Sequence, residues 1–333
     1  MAEVLWIGGG NLPVAEVMAE VGAPVAWDRV APDPVEVRRR IGAAEVVVTA
    51  VFTREMAEAA HRLRFIQCYT NGLDGLDWSA IPPGVTVARV SGHGTSVAEH
   101  ALGLWLAVAK QIALSHRHLL AHQWTDGYWG NGPFLPELSG QRALAVGLGE
   151  IARAFMALTA GFRLTWRAVR RHPERGGPPG VEVAGVEALA AWCEWADLIL
   201  VAAPLTDETR GLIGRDVLRH ANPRAILVNV ARADLIDHAA LYEALTSGRL
   251  AGAGLDLPTT VPGRAGEAPA PFGDIGLEAL PNVVVTPHVA AWTEATQRRR
   301  LKAVASNLRA WFAGAPLRHQ VAGPAASSEV DEE

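Results

Sequence analysis

Arg232, Asp256 and His288 each follow directly on an apolar run of β character, at 225–230, 251–255 and 283–286. Parallel α/β sheets bind their ligands at the carboxyl ends of the strands, so polar residues in these places carry the most weight. A guanidinium can grip a carboxylate or ketone oxygen through two parallel N–H donors. An imidazole titrates near neutrality and can give or take a proton. Asn71, Gly72, Leu73 and Asp74 follow the run at 65–69, and a glycine-bearing loop there can offer backbone N–H groups to a carboxylate. Taken singly, each is weak. A lone histidine is more often structural, and the basic residues are almost all Arg, with Lys only at 110 and 302. Four such groups at strand ends are much harder to ascribe to chance.

A second chemical signature lies mid-chain. Gly147, Gly149 and Ala152 form a Gly-x-Gly-x-x-Ala turn between a β-type run at 142–146 and a helical run from Glu150, closed by Gly161. Strand, tight glycine turn and helix N-terminus together aim backbone N–H groups and a positive dipole end at a pyrophosphate. The strand at 163–169 then runs into Arg170, Arg171 and His172, with no acid before Glu174. An acid there would bind a ribose 2′-hydroxyl and repel a 2′-phosphate, whereas an arginine pair would bind the phosphate. The reading is therefore NADP in preference to NAD. Gly8, Gly9 and Gly10 do not fit this spacing and read as a tight turn.

These groups need a scaffold. Short apolar runs at 4–7, 46–51, 65–69 and 85–90, separated by helical segments near 13–21, 34–42 and 54–61, give a first parallel sheet. Strands at 142–146, 163–169, 197–203, 225–230, 251–256 and 283–286 give a second, doubly wound one. Ser96 and Glu99 read as a capping box heading an apolar helix to about His118, hydrophobic almost all round and hence buried. Residues 122–139, rich in Trp, Gly and Pro, read as an arm or loop. A last amphipathic helix, 294–311, is expected to return to the first domain. The fold class is thus α/β, two doubly wound parallel-sheet domains, a Rossmann-type cofactor domain and a flavodoxin-like substrate domain, with a cleft between them. Residues 1–95 with 291–320 form the substrate domain, 96–290 the dinucleotide domain, and 321–333 a disordered tail.

Bulk properties narrow the class. The 333 residues are 50% hydrophobic and 20% charged with a net charge of −5, which suits a soluble globular chain and gives no basic face for nucleic acid. No apolar stretch spans a membrane, and Met1 to Ile7 reads as a strand, not a signal peptide. Cys68 and Cys193 lie far apart in no metal-ligand pattern, so no metal is expected and a reducing cytoplasm is the default.

The ordered set of motifs resembles the D-isomer-specific 2-hydroxyacid dehydrogenases over nearly the whole length, most strongly from 91 to 292. The matching segments are Ser96 to His100, the turn at 147–152, Ala196 to Thr206 with Glu208 to Arg210, and Asn229 to Arg232. Further matches are Ala240 to Leu245 with Ser247 and Gly248, Gly252 to Asp256, and Pro281-Asn282 leading to Thr286-Pro287-His288. The resemblance implies an NAD(P)-dependent enzyme interconverting a small 2-oxo acid and its D-2-hydroxy acid, built as a homodimer through the helix at 96–118 and the arm after it. Arg232 would bind and polarise the 2-oxo acid, and His288 would exchange a proton with the carbonyl oxygen. Asn71, Gly72 and Leu73 would hold the carboxylate through main-chain N–H groups. Asp256 and the Ala231 main chain would position the nicotinamide carboxamide, and Pro204 and Thr209 would flank the adenosine. Thr95, Gly147, Gly149, Glu150, Ile151, Arg170 and Arg171 complete the implied cofactor contacts.

One departure bears on catalysis. The family's Glu before a Pro, which pairs with the histidine, corresponds here to Val261 before Pro262. Each pKa unit of lost imidazolium preference is worth about 1.4 kcal/mol. Three outcomes stay open: His288 works unassisted or with Glu267 from the loop 258–275, the reaction needs no proton relay, or the chain is a weak or inactive dinucleotide-binding or sensing protein. A smaller departure is Ala233, where a Gly usually follows the Arg. Trp124, Trp129 and Trp292 either line the cleft or pack between subunits.

Overall fold

The computed structural model describes residues 3–10, 12–22, 25–124, 126–259 and 270–322. The chain divides into two compact units, residues 1–93 with 293–333 and residues 94–292.

The first unit opens with β1 (Glu3–Ile7), α1 (Val14–Val21), β2 (Ala26–Val30), α2 (Pro34–Ile41), β3 (Val46–Thr49), α3 (Arg54–Ala59), β4 (Phe65–Cys68) and β5 (Thr86–Ala88). The second unit holds α4 (Gly94–Ala109), α5 (Ile112–Leu120), β6 (Arg142–Val146), α6 (Glu150–Leu158), β7 (Thr165–Val169) and β8 (Glu182–Ala184). It continues with α7 (Leu189–Trp195), β9 (Leu198–Val201), α8 (Arg215–Leu218), β10 (Ile226–Asn229), α9 (His238–Thr246), β11 (Gly252–Leu255) and β12 (Val283–Val285). The chain then returns to the first unit through α10 (Glu294–Ala313) and β13 (Gln320–Ala322).

The first sheet runs β13-β5-β4-β3-β1-β2, parallel except for the β13 edge; the second runs β12-β11-β10-β9-β6-β7-β8 and is parallel throughout. Both are doubly wound, the α/β class read from the strand pattern. Central strands covered on both faces are apolar almost throughout, and Val46–Thr49, Leu198–Val201 and Ile226–Asn229 are buried along their whole length, with Thr49 and Asn229 the polar ends of two of them. The second sheet is sealed by α4, which lies unusually close to β11. A Cβ at Gly252 would stand 2.5 Å from Val108 Cγ1, and one at Gly254 would stand 2.8 Å from Leu104 Cβ. In the first unit α10 packs along α1 and puts Leu301, Val304, Ala305 and Leu308 into one core with Val4, Trp6, Val17 and Phe65.

Several expectations need correction. The helix beginning near 96 starts at Gly94, so Ser96 sits inside its first turn and heads no capping box. It is also two helices, α4 and α5, bent by 59° at a break where Gln111 adopts a left-handed φ of 51°. Strands β2 and β8 add to the expected set; both are edge strands, and β2 carries Asp28 and Arg29. Strand β13 reaches two residues past 320, where the tail was expected to begin, and the residues from 323 lie outside the described ones, as do Val261, Pro262 and Glu267. The Gly8–Gly10 turn directs its carbonyls at a cation: Arg29 donates to Gly8 O and Leu12 O at 3.2 Å each and also to Gly10 O. That polarity is the reverse of a phosphate loop.

Both cysteines are free and buried, and burial pushes each thiol up to about 12. No single helix among the described residues is long and apolar enough to cross a membrane, and none of their acidic, histidine and cysteine groups cluster in a way that could hold a metal ion.

Candidate active site

The polar strand ends of the second sheet are set level by register. Asn229 of β10 pairs with Leu255 of β11, and Leu255 pairs with Val285 of β12. Arg232 and His288 therefore each lie three residues beyond strand ends that register sets level, on strands about 10 Å apart, and Asp256 directly follows the strand between them.

Each end is braced. Asn229 is 1% exposed; its Nδ2 donates to Arg232 O at 2.8 Å and its Oδ1 accepts from Ala231 N at 3.0 Å. One buried side chain thereby fixes the turn that carries the half-buried arginine. Arg232 Nη1 in turn donates to Ala231 O at 2.7 Å, so both backbone groups of Ala231 are engaged by neighbours. His288 is exposed and occupies the left-handed region at φ 56°, with its N–H given to Asp256 O at 2.7 Å.

Asp256 is bonded within the fold. Its side chain is buried at 1% exposure and directed into the turn after β12. Oδ1 accepts from Thr286 Oγ1 at 2.7 Å and Val289 N at 3.0 Å, while Oδ2 accepts from Ala290 N at 2.9 Å. His100 Nε2 of α4 lies 2.8 Å from Thr286 Oγ1 and 3.4 Å from Asp256 Oδ1. Burial by itself would raise this carboxyl's pKa; the hydrogen bonds from His100, Thr286, Val289 and Ala290 outweigh it and hold the group below its ordinary value. Asp256 thus braces the turn that carries His288. No composition signal points to His100 or Thr286, since their meeting depends on α4 crossing the sheet.

The glycine turn fits a dinucleotide. Gly147 has φ +93°, and a Cβ there would meet Ala203 N and Cα at 2.7 Å, so only glycine lets β6 turn against the end of β9. A Cβ at Gly149 would meet nothing within 4 Å, leaving open the side from which a phosphate approaches α6. Ala152 is fully buried beneath the helix. We expect Gly147→Ala to cost at least about 2 kcal/mol of stability, because the strained φ and the backbone clash add. A urea midpoint unchanged from wild type would contradict this account of the turn.

Other expected cofactor contacts sort unevenly. Glu150 turns its carboxylate to the head of α4, where Oε1 accepts from Gly94 N at 3.0 Å beside exposed Thr95, leaving only its backbone for the turn at 147–152. Ile151 packs into the core under α4. Pro204 and Thr209 belong to one stapled loop: Thr209 Oγ1 donates to Pro204 O at 2.7 Å and accepts from Thr206 N at 2.7 Å. The two arginines after β7 do not act as a pair. Arg170 is half-buried and gives Nη1 to Gly176 O at 3.1 Å, whereas Arg171 is exposed and bonds Glu208 Oε2 at 2.6 Å.

In the first unit, Asn71 of the loop after β4 accepts from Arg89 Nη1 at 2.6 Å through Oδ1, and its Nδ2 lies 3.5 Å from His93 Nε2. Thr70 Oγ1 donates to Gly72 O at 3.0 Å, and Leu73 packs on the core beneath. Arg89 escaped the sequence reading, because nothing in its own segment marks it as a partner of Asn71.

Residues 102–290 match the model of the D-isomer specific 2-hydroxyacid dehydrogenase NAD-binding domain. The chain is 36% identical to D-3-phosphoglycerate dehydrogenase of Mycobacterium leprae (strain TN) over 264 residues, 78% of this chain and 47% of that protein. It spans about half the length of the first such curated relatives. It is 32% identical to glyoxylate reductase of Korarchaeum cryptofilum (strain OPF8), covering 80% of this chain and 79% of that one. Among solved structures, the NADPH-dependent glyoxylate/hydroxypyruvate reductase of Sinorhizobium meliloti in complex with NADP and malonate superposes with a TM-score of 0.78 at 27% identity, covering 97% of both chains.

Proposed function

This chain belongs to the D-isomer specific 2-hydroxyacid dehydrogenase family, and from that premise we propose that it reduces a small 2-oxo acid to its D-2-hydroxy acid, or runs the reverse reaction. What supports the proposal is that Arg232 and His288 each follow, by three residues, strand ends that register sets level, with the buried Asp256 directly after the strand between them.

The cofactor is a nicotinamide dinucleotide, which when bound supplies or accepts the hydride. The chain's own residues do the rest. Arg232 holds the 2-oxo acid and draws charge onto its carbonyl oxygen. His288 Nε2 or Nδ1 gives a proton to that oxygen in reduction and takes it back in oxidation. The Asn71–Leu73 loop binds the carboxylate by main-chain N–H groups. Exposed Arg171 favours the 2′-phosphate of NADP(H) over NAD(H). With Val261 in the place of the family's carboxylate, the hydrogen bonds that Asp256 makes to the 286–290 turn take over orientation of His288.

The chain is further proposed to pair as a homodimer through α4, α5 and the arm beyond them. Support comes from a run of apolar side chains left in solvent there: Leu120, Trp124, Tyr128, Trp129 and Phe134 are each 65% exposed or more. Trp292, also exposed, is read with them as a packing residue.

Purified protein with NADPH or NADH and glyoxylate, hydroxypyruvate, pyruvate or phenylpyruvate is expected to oxidise the cofactor with at least one acid, and His288→Ala to abolish this. Tight NADPH binding with no turnover from pH 5 to 9 would instead favour the non-catalytic dinucleotide-binding alternative, to which the loss of a carboxylate at 261 points.

A further inference from the structure

The sheet order β9-β6-β7 puts the glycine turn of β6 between the loops that follow β7 and β9. Arg171, from the loop after β7, and Glu208, from the loop after β9, meet at 2.6 Å. An ion pair between the two flanking loops must therefore cross over the end of the strand that carries Gly147. The loop bearing Glu208 is held by Thr209, whose hydroxyl ties Pro204 O to Thr206 N, so the carboxylate is presented from a fixed frame.

The same pair supplies what the segment after β7 lacks. No acid follows that strand before Glu174, and Glu174 lies 3.2 Å from His172 Nδ1. Arg170 is committed to Gly176 O. Of the two arginines directly after β7, Arg171 is thus the exposed one, and Glu208 is a carboxylate brought to it from another strand. The geometry points to Glu208 as the residue that sets the balance between NAD(H) and NADP(H) at this end of the site. This rests on the dinucleotide reading above and deepens it. Glu208 stands as a hydrogen-bond acceptor for a ribose 2′-hydroxyl, and against a 2′-phosphate it repels the incoming anion and competes for Arg171. Both side chains are more than half exposed, so the pair opens at little cost and acts as a counterweight to Arg171, not as a block.

The test is binding, without turnover. Calorimetry with ADP-ribose and 2′-phospho-ADP-ribose isolates the contribution of the 2′ group. Glu208→Gln is expected to tighten 2′-phospho-ADP-ribose about tenfold and to weaken ADP-ribose or leave it within about twofold, the gain vanishing at 1 M salt. Arg171→Gln is expected to weaken 2′-phospho-ADP-ribose at least about tenfold with ADP-ribose nearly unchanged. If Glu208→Gln shifts both ligands by one common factor, or neither, the assignment fails while the dinucleotide site stands. If wild-type protein binds neither ligand, the dinucleotide reading falls with it.

Discussion

Arg232→Gln is expected to lower kcat/KM for the best 2-oxo acid by about three orders of magnitude while leaving dinucleotide affinity within about twofold. Removing one preorganised donor from a developing oxyanion typically costs a factor of about 10² to 10³, and the guanidinium also loses its grip on the substrate. Both kcat and kcat/KM should fall, because charge on the carbonyl oxygen grows towards the transition state. Arg232→Lys should recover little of this, since one ammonium cannot reproduce the planar fork. The folded state should be untouched: the turn is fixed by Asn229 acting on the backbone of residues 231 and 232, which the substitution keeps. Steady-state kinetics beside fluorescence titration of NADPH separates the two effects. A loss below tenfold would remove Arg232 from the chemistry.

Asp256→Asn is expected to destabilise the protein by roughly 3–5 kcal/mol and to cut kcat about a hundredfold. The carboxylate accepts from the Thr286 hydroxyl and from two backbone N–H groups with almost no exposure to water. An amide turns one of those acceptors into a donor facing donors, and breaking a buried, bonded charge costs several kcal/mol. The activity loss follows because the same bonds hold the segment in which His288 adopts its left-handed conformation. The pH dependence has a definite sign. The folded-state pKa of Asp256 is depressed, so its contribution is complete above the unfolded value of about 3.9 and is lost as pH falls through the folded one. Wild-type stability should therefore fall on acidification below about pH 4 more steeply than that of Asp256→Asn. Urea unfolding at several pH values reads this directly. A variant within 1 kcal/mol of wild type at neutral pH would show that the turn does not depend on the carboxylate.

Much of this frame was legible beforehand because buried parallel strands are apolar without interruption, so their ends are sharp. Arg232, Asp256 and His288 stood out for that reason, and the strand ends they follow proved level once the strands paired. What stayed hidden depends on tertiary contact. The head of α4 is capped by Glu150, a residue 56 positions away, which a local pattern such as Ser96 with Glu99 does not reveal. The break at Gln111 has no glycine or proline to announce it. Edge strand β2 lacks an unbroken apolar signature because Asp28 and Arg29 face partly outward. Arg170 and Arg171 look equivalent in sequence; only the fold sends one into its own loop and the other to Glu208.

The first unit is assembled from both flanks of the second, with Asn307 of α10 bonding Gln67 of β4 at 2.8 Å across 240 positions. During synthesis, residues 94–292 are made in full before α10 and β13 exist. The second unit can therefore mature on the ribosome, while the earlier-made strands of the first wait with Val4, Trp6 and Phe65 lacking the helix that covers them. The usual order of vectorial folding is inverted between the two units, and the interval of greatest vulnerability to aggregation falls on the strands made before the second unit.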